Sequence, residues 1–590
     1  MSLSGAGSEK IPRDIVAIFH ASFHPTQGNV VDWSLKASEE CSLEGVEFST
    51  LPSGLHLVSQ DVVYFTKDGQ HGVCIFLRRK TTEEGHRGYR LSSLGILLAK
   101  SARPRAWRHV AALKELIQTI YDGAATRDAL ELLEGDWEPA KAFFEDRKVM
   151  QADMGGAGDW NGWSRELDGP DVDPQESSPT LHLPHLLRIL GPSALTLYKH
   201  ILGRRRILIY TLPPVEAACI LCQVAADMCY EDQVDYQPET DVRDQDRLKG
   251  KCKEGIEVLG MVTLSDTDML VSAGKTGRGW IACTTDAIFL EKPSYYDLVI
   301  DLTTSTPSKA TRPTLHSSRE IQQPPGSRGP SHRLSVVRWT WSDIKLWNEL
   351  DRLLRLDSDD PYSCCSPPDS RAPSSWADAW RVYEDVCIVC AGLWIGSWRG
   401  NSNMSYSTRD GNMANWGSVR LEGDDDLSMN GAYVRNVGMG IEGGPSQTSP
   451  TTKPLRRASG MSSWSSKTSG MKLSSRKAPG SSSLAPPDPQ AGLEERRDRQ
   501  VLTTLALLQT FHANTRFQLA RLASFLPSET STGPRIMYIS PKDVISFELG
   551  PLSSFDAQYL GWLADEYGAG AKLEMKRGGW RDWVGIVFGL

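Results

Sequence analysis

Residues 185–211 have the sequence HLLRILGPSALTLYKHILGRRRILIYT, and this stretch decides the fold. From Leu186 to Leu202 the apolar residues recur at helical spacing, and Gly203 breaks the helix before a basic triplet. Ile207–Tyr210 follows as a short, fully apolar strand. Pro213-Pro214 then begins another helix, because proline is tolerated in the first turn. Helix, strand and helix in this order predict a parallel sheet with crossover helices.

Further strand patterns extend this region toward the C-terminus. They follow an acidic loop over 231–246 and lie near 258–264, 280–284 and 287–290. We therefore predict one α/β unit over residues 179–302.

Another α/β unit is predicted upstream, over residues 11–150. Lys67-Asp68-Gly69 is typical of a hairpin turn between two apolar runs. Trp107–Ile120 has apolar residues at helical spacing, which predicts a helix that packs on the strands. The other strand predictions are 15–23, 30–35, 55–58, 62–65, 72–77 and 90–99.

Length and charge limit the class of protein. A chain of 590 residues is too long for one hydrophobic core, so two or three folded units are expected. Its formal net charge of −8 supplies no basic footprint, which argues against nucleic acid as the main partner.

The lack of a signal-peptide pattern, together with the cysteines, predicts a cytoplasmic protein. The first ten residues are small and polar, unlike a signal peptide, so the 11 cysteines are expected to be reduced thiols. No apolar run approaches the roughly 18–20 residues that a membrane-spanning helix needs. The sequence therefore predicts a soluble protein without a transmembrane segment.

Polar segments separate the predicted units. Residues 303–333 are rich in Ser, Thr and Pro and predict a disordered insertion. Helical patterns over 334–399 form a predicted downstream part. Residues 400–490 have too few aliphatic side chains to offset an ordering entropy of roughly 1–2 kcal/mol per residue, which predicts a disordered, low-complexity region. Residues 491–590 return to helical and strand patterns and form a C-terminal block.

Motifs that invite a chemical interpretation each fit a structural role better. Gly274-Lys275-Thr276 lacks the first glycine of a phosphate loop, because Met269 occupies that place, and a hairpin turn is predicted instead. The Cys-x-x-Cys pairs at Cys219/Cys222 and Cys387/Cys390 lie in apolar helical patterns, far apart for a zinc site. No Gly-x-Ser-x-Gly motif is present. We therefore predict no catalytic residues, no metal site and no cofactor.

Two features are candidate contact or regulatory sites. Arg204, Arg205 and Arg206 follow a helix and could meet an acidic or phosphate-bearing partner surface, although a solvated loop is the simpler interpretation. Ser459 follows Arg456-Arg457-Ala458, a pattern that basophilic kinases recognise. Phosphorylation there would add about −1.5 to −2 charges.

Three stretches of the chain, and its C-terminal block, resemble the LCHN family, a divergent branch of the tripartite DENN proteins. The first is Ile15–Arg79, with FHASFHPTQGNVVDWS and LEGVEFSTLPSGLHLVSQDVVYF; the second is the stretch over 185–211. The third is GWIACTTDAIFLEKPSYYDLVIDL over 279–302. The C-terminal block, with PRIMYISPKDVISFELGPLSSFDAQYLGWLADEYG, resembles the C-terminal region of the family. The resemblance covers roughly two-thirds of the chain.

This resemblance implies a longin-like N-terminal lobe, an α/β DENN core lobe and a helical downstream region, with the long polar insertions between them. It also implies a role in vesicle trafficking as a guanine nucleotide exchange factor for a Rab-type GTPase. Such a factor needs no catalytic side chain, because it acts by binding the nucleotide-free GTPase. The groove between the two lobes would be the GTPase surface, and recruitment to vesicle membranes would be peripheral, through partners.

Two alternatives remain open at this point. The chain could be a non-enzymatic scaffold or Rab effector of the secretory pathway. It could also activate GTP hydrolysis through an inserted arginine, for which Arg204–Arg206 are the candidates.

Overall fold

The computed structural model describes twelve stretches of the chain. These are residues 12–81, 88–125, 132–149, 160, 162–168, 178–234, 248–252, 254–304, 312–321, 332–358, 489–527 and 535–575. The chain divides into two compact units, Met1–Val386 with Arg499–Leu590 and Cys387–Asp498. Of the second unit only residues 489–498, the start of a long helix, are described. The predictions that fall on 400–488, Cys387, Cys390 and Ser459 therefore lie outside the described residues.

The N-terminal lobe is an antiparallel sheet with helices packed on it. Its strand order is β3-β4-β5-β1-β2, and Asp68-Gly69, both with positive φ, form the predicted turn between β3 and β4. One face packs on α2 and α3 through Leu113, Ile117 and Phe144. The elements are β1 (Ile15–His24), β2 (Gly28–Lys36), α1 (Val46–Thr50), β3 (Gln60–Lys67), β4 (Gln70–Lys80), β5 (Tyr89–Leu98), α2 (Val110–Ala125) and α3 (Glu138–Arg147).

The core lobe is built on four parallel strands in the order β7-β8-β6-β9, extended by antiparallel β10 and β11. Every residue of β8 and β9 is buried, as expected when helices cover both faces. The elements are α4 (Trp163–Asp168), α5 (Leu183–Leu190), α6 (Ser193–Leu202), β6 (Arg206–Tyr210), α7 (Glu216–Asp227), α8 (Tyr230–Val234), β7 (Glu257–Met261), α9 (Thr267–Lys275), β8 (Trp280–Thr284), β9 (Leu298–Asp301), β10 (Thr314–Glu320) and β11 (His332–Val336).

The two lobes share one sheet of eleven strands, because β3 of the first lobe pairs with β7 of the second. The pairing joins Phe65 to Gly260, and the Thr66 hydroxyl donates to the Val258 carbonyl at 3.1 Å. Gly260 has φ +69°, and a Cβ there would lie 2.4 Å from the Tyr64 carbonyl oxygen. Only glycine fits this crossing of the two lobes.

The downstream elements pack on the core lobe through a buried lysine. Lys199 of α6 contacts Asp343 and Asp556, each at 2.7 Å, and Asp556 also accepts from the Gly550 N–H at 2.8 Å. These carboxylates keep the buried ammonium charged. The elements are α10 (Ile344–Ser358), α11 (Pro489–Phe525), β12 (Ile536–Ile539), α12 (Pro541–Ser546), α13 (Ser554–Tyr567) and β13 (Lys572–Met575). None of the described helices combines the length and apolarity needed to cross a bilayer.

The mixed α/β fold and the parallel sheet are confirmed, and several local predictions are wrong. Leu55–Leu57 and Ala287–Glu291 form 3₁₀ turns instead of strands. The insertion predicted over 303–333 contains strand β10, in which Leu315 and Ser317 alternate into the core while polar residues face outward. Gly274-Lys275 ends helix α9 and is not part of a hairpin. In β10, a single apolar residue between polar ones gave too weak a signal for a strand.

Helix α11 meets α8 through a cluster of charges. His512 Nδ1 lies 3.0 Å from Glu231, and Arg516 lies 3.4 Å from both Glu231 and Asp232. Burial raises the pKa of Asp232 to about 6, and the attraction of His512 and Arg516 only partly opposes this effect. The folded state therefore keeps the proton on Asp232 to a higher pH than the unfolded chain does.

We expect Gly260→Ala to weaken the join between the lobes. The added methyl group meets the Tyr64 carbonyl in a backbone conformation that alanine disfavours, which should cost about 2–4 kcal/mol of stability. Gly277→Ala is the matched control, because Gly277 has φ +71° and a Cβ added there would meet no atom within 4 Å. Thermal unfolding should show a clearly larger loss for Gly260→Ala. Equal losses would mean that the close approach has no cost.

We expect Asp232→Asn to change how stability depends on pH. Since the pKa of Asp232 is raised in the folded state, its contribution is present below pH 4 and is lost as pH rises through about 6. The variant cannot ionise at this position. Its free energy of unfolding, measured by denaturant unfolding, should therefore rise relative to that of the wild type between pH 4.5 and 7.5, by on the order of 1–2 kcal/mol. Parallel pH profiles for the two proteins would contradict this assignment.

Candidate functional site

The lobe boundary is held by a carboxylate of one lobe that caps a helix of the other. Asp61 of β3 is buried and accepts hydrogen bonds from the N–H groups of Val215 (2.7 Å) and Glu216 (3.2 Å) at the start of α7. These groups have no partner within the helix, and the helix dipole favours an anion there. Burial raises the pKa of Asp61. The hydrogen bonds from these two N–H groups, and from the Val62 N–H, oppose this shift.

A buried arginine adds a second link across the boundary. Arg103 follows β5, and its guanidinium contacts Asp227 of α7 at 2.8 Å and Glu166 of α4 at 2.7 Å. Three aromatic rings, those of Trp160, Trp163 and Tyr230, surround it at 4.7–5.0 Å. The α4 segment between the lobes is thus fixed to both of them.

A narrow cleft of about 30 Å³ lies at this boundary. Thr66 and His71 line it from the first lobe, and Cys219, Gln223 and Val258 from the second. Burial, with the Arg278 charge, lowers the pKa of His71 to about 4, so its imidazole is neutral at physiological pH. The cleft has room for a water molecule or two, well below the size of a small-molecule site.

The loops after β6, β7 and β8 leave the same edge of the sheet, because these strands are parallel. The Leu264 N–H donates to the Asp286 carboxylate at 3.2 Å, which joins two of the loops. The first lobe reaches the same edge through two contacts. Ser49 of α1 hydrogen-bonds Asp266, and a Cβ on Gly54 would lie 3.2 Å from Pro213.

Five large apolar side chains are exposed along this edge, and we call them the interlobe rim. Two come from the first lobe and three from the loops of the core lobe: Phe48 (41% exposed), Leu57 (66%), Leu212 (52%), Leu264 (37%) and Ile288 (45%). Exposed apolar side chains that gather at one place are typical of a protein-binding surface. The carboxyl ends of parallel strands are also where α/β folds bind their ligands.

The arginine triplet lies at the opposite ends of these strands, away from the interlobe rim. Arg204 is buried and contacts the carbonyl groups of Arg278 and Cys252, so its prediction as a surface contact is wrong. Arg205 stacks over Trp562 at 5.1 Å, and Arg206 pairs with Asp297 at 2.8 Å.

Sequence reasoning missed the interlobe rim and the links beneath it. From the sequence we would place Phe48, Leu212 and Ile288 in the core, because the type of an apolar residue does not reveal whether it is exposed or buried. Asp61 lies near the start of an apolar strand, and nothing in the sequence links it to the Val215 N–H group, 154 positions later. Cys219 and Cys222 are buried in α7, as predicted for small apolar side chains. The described His, Cys, Asp and Glu side chains form no group of three suited to a metal ion.

We expect Asp61→Ala to loosen the lobe boundary. Loss of the carboxylate leaves the first N–H groups of α7 without acceptors, which should cost about 1–3 kcal/mol. Asp61→Asn keeps one acceptor oxygen and should cost less. Thermal unfolding should rank wild type above Asn and Asn above Ala; an asparagine variant as unstable as the alanine variant would exclude capping as the role of Asp61.

The chain is similar to known proteins over both lobes. Residues 18–312, half of the chain, match the family described as DENN domain-containing protein 11. DENN domain-containing protein 11 of Danio rerio is 28% identical over 297 residues, which cover 49% of this chain and 53% of that protein. The protein of the same name from Rattus norvegicus is 28% identical over 296 residues, 49% of this chain and 57% of that protein.

A more distant similarity extends to yeast. Uncharacterized protein ANR2 of Saccharomyces cerevisiae is 27% identical over 320 residues, 50% of this chain and 58% of that protein. The chain therefore spans a little over half the length of the relatives that it matches. Because the family pattern extends over both lobes and half of the sequence, this chain belongs to the DENN domain-containing protein 11 family.

Proposed function

We propose that this chain is a guanine nucleotide exchange factor for a Rab-type small GTPase in vesicle trafficking, and that the GTPase docks on the interlobe rim. The observation that carries the proposal is the row of exposed apolar side chains that both lobes contribute to one edge of the shared sheet. Membership of a DENN family supports it, since DENN proteins generally act on Rab GTPases.

The chemistry required of the rim is selective binding. An exchange factor binds the nucleotide-free GTPase more tightly than the loaded form, and the difference in binding free energy drives release of the nucleotide. A rigid surface that spans two lobes suits this task, because it can hold the GTPase in one conformation. No side chain has to donate or accept a proton.

The same proposal extends to location and ancestry. We assign the chain to the LCHN branch on the resemblance of residues 534–568 to the C-terminal region of that family. Recruitment to vesicle membranes would occur through the bound partner. That Arg205 and Arg206 contact a partner stays a prediction, for a surface separate from the interlobe rim.

The decisive experiment measures release of a fluorescent GDP analogue from a panel of Rab-type GTPases. Catalytic amounts of the full chain should accelerate release from at least one of them. Tight binding to the GTP form alone, without acceleration, would favour the effector alternative and overturn exchange.

We expect Leu57→Asp and Leu212→Asp to abolish most of the exchange activity. Each places a charge at the centre of the apolar surface, and the exchange rate should fall at least about tenfold. Leu502→Asp is the matched control, because Leu502 is 66% exposed on α11, outside the interlobe rim. Similar rates for all three variants would show that the rim is not the docking surface.

A further inference from the structure

The described segments that form the interlobe rim and its border are rich in acidic residues. Four segments form the rim and its border: residues 38–57, 211–216, 262–268 and 284–292. Together they hold nine acidic residues and one lysine, a net charge of −8, which equals the formal net charge of all 590 residues. The segments that carry the exposed apolar side chains are therefore strongly acidic.

The strongest part of this border comes from the first lobe. Glu39, Glu40 and Glu44 are exposed, and among the described residues no basic side chain lies within 4.0 Å of their carboxylates. Asp268 and Glu291 are the exposed acids on the core-lobe side. Cations from other segments also reach this border. Lys36 lines the same surface depression as Glu39, Glu40 and Glu44, Lys114 lies 3.8 Å from Glu216, and Arg78 donates to the His56 carbonyl at 2.7 Å.

We propose, on the basis of the proposed function, that this acidic border selects a GTPase whose docking face has an apolar centre surrounded by lysine and arginine. Complementary charge at the edge of an interface accelerates encounter and excludes partners of the wrong sign. The apolar centre supplies affinity, and the acidic border supplies association rate and specificity.

The sign of the border also disfavours two other occupants. A second copy of this chain would bring the same negative charges together, and an anionic membrane surface would be repelled. The chain itself carries one complementary segment, residues 449–485, with seven basic residues and no acidic one. Association rates distinguish binding of this segment from binding of the GTPase.

The test measures association of the full chain with the nucleotide-free form of the GTPase that the exchange panel selects. The variant is Glu39→Gln/Glu40→Gln/Glu44→Gln, followed by stopped-flow fluorescence at several salt concentrations. The association rate constant should fall about five- to tenfold at low salt, and its salt dependence should weaken, while the dissociation rate changes about twofold or less.

The matched control is Glu134→Gln/Glu138→Gln. These side chains are 78% and 70% exposed and belong to the first lobe, where α3 packs on the other side of the sheet from α1. The control should associate as fast as the wild type at every salt concentration.

Two results would overturn the proposal while exchange itself stands. Equal association rates and salt slopes for the triple variant and the wild type would show that the border has no role in selection. Faster association of the triple variant would show that the border hinders the GTPase, either by repelling it or by binding a basic segment of the chain itself. Absence of exchange or binding with every GTPase would instead remove the proposed function, and this inference with it.

Discussion

The carboxylate of Asp61 is the interaction on which the arrangement of the two lobes depends. It is buried in β3 and accepts from the first N–H groups of α7, so a residue of one lobe completes the helix of the other. The pairing of Phe65 with Gly260 lies a few residues along the same strand. A helix start and a sheet crossing are therefore fixed by one strand, and the loops that leave the core sheet take their positions from it.

Buried charges fix the remaining segments around this boundary. Arg103 joins the loop after β5 to α4 and α7, and Lys199 joins α6 to the elements that contain Asp343 and Asp556. Each cation is buried with two carboxylates, an arrangement that adds little net stability but is costly to break. We infer that these contacts specify one geometry among several that the apolar cores alone would tolerate.

The buried links at the lobe boundary and the exposed apolar edge suit the proposed role in binding a GTPase. The described cleft between the lobes is too small for a substrate, and its His71 is neutral and buried. The edge outside it presents Leu57 and Leu212 to solvent within an acidic border. In the proposed exchange reaction, the energy for nucleotide release would come from contact area and charge at this edge.

The sequence by itself determined the fold class, the core strands β6, β7 and β8 and the major helices, because these follow from local periodicity, but it did not predict β9. The long helix α11 (Pro489–Phe525) lies mostly within the C-terminal block over 491–590, for which helical patterns were predicted. The sequence also indicated DENN ancestry, through long stretches of matching pattern. It did not predict short elements such as β10, since a few alternating residues give a weak signal. Only the tertiary structure decided which apolar residues are exposed and that Arg204 is buried, because exposure depends on contacts between residues distant in the chain. The interlobe rim exists for that reason: its members are separated by up to 240 positions and meet only when β3 and β7 join the two lobes into one sheet.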